Sequence, residues 1–178
     1  MKTYLIVDGY NVIHYWAEGK GIEDIRLEEA REHLIHRLGS FSGLKGYETI
    51  LVFDAYSQDD VTHEEYRSGI QIVFTGKNQT ADSYIEKLVY RLPRPYTVKV
   101  VTSDYTLQRL VLANGGERIS SRELLEEMAF TGKTVRKNYP QIAEKDRNRL
   151  NDKNRIEDYM DDEVLSAMRR MRKGTTED

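Results

Sequence analysis

The sequence of 178 residues predicts an α/β protein with a doubly wound, mainly parallel sheet of four to five strands flanked by helices. Four segments are rich in Val and Ile without strict alternation, as is typical of strands buried on both faces: residues 3–7, 49–53, 70–74 and 98–101. Helical periodicity lies between the first two segments and after the third and fourth. Parallel strands need such crossover helices, so the alternation indicates the fold class.

Three segments carry this helical periodicity. In residues 24–44 apolar side chains recur every three or four positions, as one face of a helix requires. The pattern returns in residues 80–92, which two prolines follow, and in residues 104–114, which a Gly-Gly pair follows. Residues 118–120 predict a short fifth strand, and Ser121 is then expected to be the N-cap of another helix.

The C-terminal part has a different character. Residues 131–154 are polar and basic with little apolar periodicity, and residues 156–171 predict an amphipathic helix. The acidic start and basic end of that helix would complement its dipole, which is a structural explanation for the terminal charges. We therefore expect a sheet domain over residues 1–132 and a basic helical extension over residues 133–178, packed on or beside it.

Composition excludes several classes of protein. The chain has no cysteine, which excludes disulfides, thiolate zinc sites and a cysteine nucleophile. Uninterrupted apolar stretches are only a few residues long, so we expect no membrane span, and no signal-peptide pattern opens the sequence. A cytoplasmic protein without a membrane partner is the expectation.

The charge is distributed unevenly along the chain. The formal net charge is −3, but residues 1–130 carry −5 and residues 131–178 carry +2. Residues 133–155 hold eight basic side chains against three acidic ones. Such asymmetry is a hint of a polyanionic partner.

Carboxylates recur where the predicted strands end. Asp8 and Asp54 directly follow the first two strands, Asp104 follows the fourth, and Asp82 lies in the first turn of the helix after the third. Ligands of parallel sheets bind beyond the carboxyl ends of the strands, so these acids are expected to meet in one crevice. Crowded carboxylates repel, and a divalent cation with oxygen ligands relieves the repulsion. Mg²⁺ or Mn²⁺ held in this way supports phosphoryl chemistry.

Each acid taken alone also has a structural explanation, because Asp is a favoured N-cap and Asp104 fits that role well. Other chemistries find less support. Glycine-rich phosphate loops and a GxSxG nucleophile motif are absent, and we expect no organic cofactor. His33 and His36 have no matching carboxylate ligand nearby, which favours a solvated helix face.

Four strand-end motifs, taken in order, resemble the NYN domain, a branch of the PIN-like nuclease superfamily, and especially its bacterial YacP-like group. The motifs are Val7-Asp8-Gly9-Tyr10-Asn11, Phe53-Asp54-Ala55, Thr80-Ala81-Asp82 and Thr102-Ser103-Asp104. The resemblance covers about residues 1–150 and implies a three-layer PIN-like fold. It also implies a metal-dependent endoribonuclease that cleaves single-stranded messenger RNA, with the ribosome as a partner.

The resemblance implies a role for each matching residue. Asp8, Asp82 and Asp104 would be the acidic ligands of Mg²⁺ or Mn²⁺, and Asn11 would lie beside them, orienting a water or phosphate. Asp54 lies where some relatives have an auxiliary acid. The alternative function is a PIN-like module that binds RNA or the ribosome without cleaving. A receiver-type phosphoacceptor is disfavoured, because Tyr10 stands where a second acid would be needed.

RNA binding requires phosphate contacts from Lys and Arg and stacking surfaces for unpaired bases. Lys77, in the loop before Asp82, and Tyr10, just after Asp8, are candidates beside the predicted site. The extension adds Lys133, Arg136, Lys137, Arg147, Arg149 and Lys153. Each is also explained as a solvated surface charge or a packed ring, but the set favours contact with RNA.

Overall fold

The computed structural model describes residues 2–19, 26–54, 61–92 and 96–138, with side chains up to residue 134. Strands and helices alternate along these residues as the sequence predicts. The elements are β1 (Thr3–Asp8), α1 (Gly9–Glu18), α2 (Leu27–Lys45), β2 (Tyr47–Phe53), β3 (His63–Arg67), β4 (Ile70–Phe74), α3 (Ala81–Arg91), β5 (Thr97–Val101), α4 (Tyr105–Ala113), β6 (Glu117–Ile119) and α5 (Ser121–Asn138).

The described strands form one six-stranded sheet in the order β3-β4-β2-β1-β5-β6. All neighbouring pairs are parallel except β3 and β4. β1 lies between β2 and β5, where Val7 is in register with Leu51 on one side and Val101 on the other. The carboxyl ends of β1, β2, β4 and β5 therefore lie at the same edge, which we call the carboxyl edge. The α/β class with a mainly parallel sheet is confirmed.

Apolar side chains cover both faces of the sheet. On β1, Leu5 and Val7 face a core shared with α1, α2 and α5, whereas Ile6 faces a core shared with α3 and α4. All three β1 side chains are fully buried. Burial on both faces explains why the strand sequences show no alternation of polar and apolar residues. Helices on either side of a sheet make the three-layer arrangement that the family resemblance implied.

Two elements were not predicted. Helix α1 begins directly after β1 and buries Val12, Ile13 and Ala17 at helical spacing. Strand β3 is a polar edge strand with mostly exposed side chains, so it lacks the apolar pattern of the other strands. Its hairpin turn to β4 places Ser68 and Gly69 at positive φ, 54° and 79°, as two-residue hairpin turns of the primed types require.

Helix α5 differs from the sequence prediction at its N-cap and continues past the predicted domain boundary at residue 132. The N-cap is Ser120, not Ser121: the Glu123 amide donates to the Ser120 hydroxyl at 3.2 Å, while the Ser120 amide donates to the Glu123 carboxylate at 2.7 Å. This reciprocal pair is a capping box. The helix continues to Asn138, past residue 132, and the predicted helix of residues 156–171 lies outside the described residues. The proposed division into a sheet domain and an extension stays a prediction.

None of the helices that the structure describes has the length and apolar character needed to cross a membrane.

Close packing of α2 against the β3–β4 turn generates a testable prediction. A Cβ atom on Gly39 would lie 2.2 Å from the carbonyl oxygen of Ser68, whereas a Cβ on Gly43, one turn later, would meet nothing within 4 Å. We expect Gly39→Ala to lower the free energy of unfolding by about 1–3 kcal/mol through overpacking. Gly43→Ala should raise it by roughly 0.5–1 kcal/mol through helix propensity.

Urea denaturation of the two variants beside the wild type measures both effects. Equal and small changes in the two variants would show that the α2 contact with the turn is not tight.

Candidate active site

Asp8 ends β1 and is the N-cap of α1. Its Oδ1 accepts a hydrogen bond from the Asn11 amide at 3.2 Å. Burial raises the pKa of the Asp8 carboxyl to about 6, the Asn11 amide opposes this rise, and repulsion from Asp82 and Asp54 adds to it. Asp8 is therefore a half-buried carboxylate whose charge is only partly compensated by the protein.

Gly9 allows α1 to begin against the end of β2. A Cβ atom at this position would lie 2.2 Å from Cε1 of Phe53. Any larger residue would displace the Phe53 ring or the first turn of α1. The Asp-Gly pair thus brings Asp8 close to the end of β2, where Asp54 follows Phe53.

Asp54 connects the end of β2 to the start of α3. Its Oδ1 accepts a hydrogen bond from the Ala81 amide at 2.6 Å, and Thr80, the N-cap of α3, accepts from the Ser83 amide at 3.2 Å. These bonds fix the first turn of α3, which carries the exposed Asp82. Although the side chain is exposed, partial desolvation by neighbouring groups raises the pKa of Asp82, and repulsion from Asp104 and then Asp54 raises it further.

Asp104 is the N-cap of α4. Its Oδ1 accepts a hydrogen bond from the Leu107 amide at 2.7 Å, while its own amide donates to the hydroxyl of the buried Thr102 at 3.1 Å. The capping explanation therefore holds for Asp104, as it does for Asp8. Both residues also lie at the carboxyl edge, where the sequence predicts the metal site, so capping does not exclude the predicted role.

The four acids lie near enough for their charges to act on one another. Asp8 is repelled by Asp82 and Asp54, and Asp82 by Asp104 and Asp54. Among the described residues no ion pair involves any of them. Nor does this part of the chain contain three or more His, Asp or Glu side chains close enough together to hold a metal ion. The acids share one edge without converging on a single point.

The chemistry of this donor set fits a hard divalent cation. All four side chains offer carboxylate oxygens, which are the ligands that Mg²⁺ and Mn²⁺ prefer. Burial raises the pKa of Asp8 and Asp82, mutual repulsion raises it further, and a bound cation would oppose both effects.

Asn11 lies half-buried beside Asp8 and makes two side-chain hydrogen bonds to serines far along the chain. Its Nδ2 donates to the hydroxyl of Ser103, and its Oδ1 accepts from the hydroxyl of Ser121 at 2.7 Å. Neither serine was predicted to be a partner of Asn11. Ser103 belongs to the Thr102-Ser103-Asp104 motif, and Ser121 was predicted only to cap α5.

Tyr10 is half-buried rather than openly available for stacking. Its ring packs edge-on against Phe53 at 5.1 Å, and its hydroxyl accepts a hydrogen bond from Arg31 at 3.4 Å. The Arg31 guanidinium lies over the ring of Phe74, 5.8 Å from its centroid. Arg31 and Phe74 were not predicted, because they come from α2 and β4 and no local motif marks them.

The predicted basic contacts lie in different parts of the molecule. Lys77 is exposed in the turn between β4 and α3, and Lys133 is exposed on α5. For Arg136 and Lys137 only the helical backbone is described. The remaining three lie outside the described residues: Arg147, Arg149 and Lys153.

Comparison with known proteins identifies the family. Residues 5–173 match the YacP-like NYN domain. The chain belongs to this family. A YacP-like relative from Bacillus subtilis, described as uncharacterized protein YacP, is 33% identical over 172 residues, which is 96% of each chain.

Two crystal structures of Rae1 (YacP) from Bacillus subtilis share the YacP-like fold. One superposes with a TM-score of 0.65 at 30% identity, over 96% of this chain and 95% of that chain. The other, of a tryptophan-to-leucine mutant, gives 0.64 at 33% identity, over 79% of this chain and 82% of that chain. The NYN family and fold are thereby confirmed, and the homologues indicate a PIN-like nuclease family.

The raised pKa of Asp8 predicts a gain in stability when its charge is removed. The unfolded carboxyl titrates near 3.8 and the folded one near 6, so the folded state loses stability as pH rises from about 4 to 6 and does not regain it above 6. With EDTA present, Asp8→Asn should raise the free energy of unfolding at pH 7.5 by roughly 1–2 kcal/mol. Asn retains the Oδ1 acceptor that caps α1.

Thermal unfolding from about pH 3 to 8 measures this gain, which should vanish near about pH 3 because the wild-type carboxyl is then largely protonated in both the folded and the unfolded state. Asp8→Ala removes the cap as well as the charge and should be about 1 kcal/mol less stable than Asp8→Asn. Destabilisation by Asp8→Asn at pH 7.5 would contradict the assignment of uncompensated charge to Asp8.

Proposed function

We propose that this protein is a divalent-metal-dependent endoribonuclease that cleaves single-stranded messenger RNA in the cytoplasm, in association with the ribosome. The observation that carries the proposal is the set of mutually repelling carboxylates at the carboxyl edge of a PIN-like nuclease fold. A protein that only bound a polyanion would gain nothing from carboxylates that face it. A cation between acid and phosphate removes this contradiction.

Asp8, Asp82 and Asp104 would hold Mg²⁺ or Mn²⁺, with Asp54 as an auxiliary acid. When bound, the cation would lower the pKa of a water and neutralise charge on the phosphate and the leaving oxygen. The protein's own contribution is to hold these carboxylates in fixed positions. Backbone amides at helix starts hold Asp8, Asp54 and Asp104, so these carboxylates are fixed before any ligand arrives.

Asn11 would contact a phosphate oxygen or a water through its side-chain amide. Its amide group carries two protons, and the hydrogen bond to Ser103 uses one of them. The second N–H of the side-chain amide would donate a hydrogen bond to a phosphate oxygen or a water. This role needs the amide to be held in one orientation, which the serine contacts provide.

Basic residues supply the attraction for RNA and for the ribosome. Residues 133–155 carry eight basic side chains, and ribosomal RNA presents the same phosphate chemistry as the messenger. Lys77 lies next to the turn that leads to Asp82. Arg31, which lies over Phe74 at the end of β4 and donates to the Tyr10 hydroxyl, adds a guanidinium beside this strand end.

A second candidate function is a PIN-like module that binds RNA or the ribosome without cleaving it. The observation favouring it is that no three acidic or histidine side chains within the described ranges lie close enough together to hold a metal ion. In that case Asp8, Asp54 and Asp104 would serve only to hold backbone amides at helix starts. Cleavage assays separate the two functions directly.

The cleavage prediction concerns Asp8 and Asp82. We expect purified wild-type protein to cut RNA, alone or on translating ribosomes, with Mg²⁺ or Mn²⁺ and not with EDTA. Asp8→Asn and Asp82→Asn should each reduce the rate at least about 100-fold, the order lost when electrostatic stabilisation of a transition state is removed. End-labelled RNA resolved on denaturing gels gives the rates.

Glu48→Gln is the matched control, because it removes one carboxylate at the amino end of β2, where Glu48 pairs with Lys2. Its cleavage rate should equal that of the wild type. A folded Asp8→Asn protein that cuts at the wild-type rate would overturn the metal-site assignment. Binding of RNA with no cleavage, on or off the ribosome, would establish the second candidate function.

The basic segment generates a separate prediction. Reversing two charges, in Arg136→Glu with Lys137→Glu, should weaken binding to RNA or to ribosomes and flatten its dependence on salt, because fewer phosphate contacts release counterions. Lys2→Glu, at the opposite end of β1 from Asp8, should leave binding unchanged. Filter binding over a series of KCl concentrations measures the slopes, and identical slopes for wild type and double variant would count against the assignment.

A further inference from the structure

The side chain of Asn11 joins three elements that are distant in sequence. Asn11 belongs to α1, its Nδ2 donates to Ser103 between β5 and α4, and its Oδ1 accepts from Ser121 at the start of α5. Ser121 is only 4% exposed, so its hydroxyl is withdrawn from water at this contact. The hydrogen bond to Asn11 matters for stability, because a buried hydroxyl that loses its acceptor is left unsatisfied.

The segments that Asn11 connects are those that carry two of the proposed metal ligands. The backbone amide of Asn11 donates a hydrogen bond to the Asp8 carboxylate, so a shift of Asn11 would also shift the turn at Asp8. Ser103 directly precedes Asp104, whose amide is tied to Thr102. The Asn11 bridge therefore links the Asp8 turn to the Asp104 turn, and these turns follow the neighbouring strands β1 and β5.

The orientation of the bridge depends on support from both ends. The side-chain amide of Asn rotates in a broad energy well and is not fixed by its own rotamer preference. Ser103 holds the nitrogen end, and Ser121 holds the oxygen end from a separate helix. Without the Ser121 hydroxyl the amide would be tethered at the Ser103 end and free to turn about that contact.

We propose that Ser121 is a positioning residue of the acid site, acting through Asn11. It holds the Asn11 amide in the orientation that sets the spacing of the Asp8 and Asp104 turns and presents the remaining Asn11 N–H to a phosphate oxygen or water. This inference rests on the proposed function, because it gives Ser121 a role toward the cation that the acids would hold. Helix α5 thereby becomes part of the site without contributing an acid.

The neighbouring serine offers a matched control. Ser120 caps α5 through Glu123, whereas the Ser121 hydroxyl goes to Asn11. Ser120→Ala removes a cap and should lower the melting temperature by a few degrees. Ser121→Ala also deletes one oxygen and should lower stability to a similar degree. The pair therefore matches for chain position, for the atom removed and for the effect on stability.

The experiment measures Mn²⁺ binding to the full-length protein from the free-Mn²⁺ signal in electron paramagnetic resonance, together with the cleavage rate. We expect Ser121→Ala to raise the dissociation constant for Mn²⁺ roughly tenfold, the order found for residues that orient metal ligands, and to slow cleavage at subsaturating Mn²⁺ in proportion. Ser120→Ala should bind Mn²⁺ with the wild-type constant despite its lower stability.

A double-mutant cycle tests whether Ser121 acts through Asn11. If it does, Ser121→Ala added to Asn11→Ala should change the Mn²⁺ dissociation constant no further, so the two effects are strongly non-additive. A merely structural role for Ser121 predicts equal, additive effects in both backgrounds.

The outcomes separate this inference from the proposed function. Mn²⁺ binding and RNA cleavage by the wild type, with an unchanged Mn²⁺ constant in Ser121→Ala, would overturn the positioning role alone. Equal weakening of Mn²⁺ binding by Ser120→Ala and Ser121→Ala, or additive effects in the cycle, would also overturn it. No Mn²⁺ binding by the wild type would overturn the metal site and the positioning role together.

Discussion

Repulsion among carboxylates at the ends of parallel strands is the constraint on which the candidate site depends. The strand order places β1 between β2 and β5, so the residues that follow these strands meet at one edge. Asp8, Asp54 and Asp104 each follow one of them, and Asp82 is added by the first turn of α3. Burial and then the repulsion between these like charges raise the pKa of Asp8 and Asp82. The fold has to stabilise this edge by other means.

Part of that stabilisation comes from helix starts. Asp8 caps α1, Asp104 caps α4, and Asp54 accepts from the amide of Ala81 at the start of α3. Three helix N-termini, with their partial positive charge, therefore lie at the edge that carries the acids. Unpaired backbone amides at a helix start also favour phosphate groups. The helix N-termini that stabilise the acids at the carboxyl edge are thus also compatible with a nucleic-acid ligand.

Burial and strand ends leave local signals in the sequence, whereas contacts between distant segments do not. β1, β2 and β4 are largely buried and β5 is buried at its carboxyl end, so all four read as mostly apolar runs, and the acids follow from where these strands end. β3 is exposed and polar, so it carried no strand pattern, and α1 was missed because its only start signal, Asp8, was interpreted as a site residue. The partners of Asn11 could not be predicted, because Ser103 and Ser121 lie 92 and 110 residues away in the chain. The real cap of α5 is one residue before the expected one, and this shift leaves the Ser121 hydroxyl to Asn11.

Capping and metal binding need not compete for the same carboxylate. A carboxylate has two oxygens and about four acceptor positions, so a single bond from a backbone amide leaves most of its capacity for a cation. The cap fixes the side-chain rotamer, and a ligand fixed in advance loses less entropy when the ion binds. With a pKa of about 6, Asp8 is mostly ionised at neutral pH, so a cation would meet a carboxylate rather than a carboxylic acid. Asp8 and Asp104 can therefore cap helices and still serve in the proposed metal site. Under the proposed function, a metal site differs from a set of independent helix caps because the Asp8 and Asp104 turns are connected. In this chain the hydrogen bonds of Asn11 to Asp8 and Ser103 make that connection.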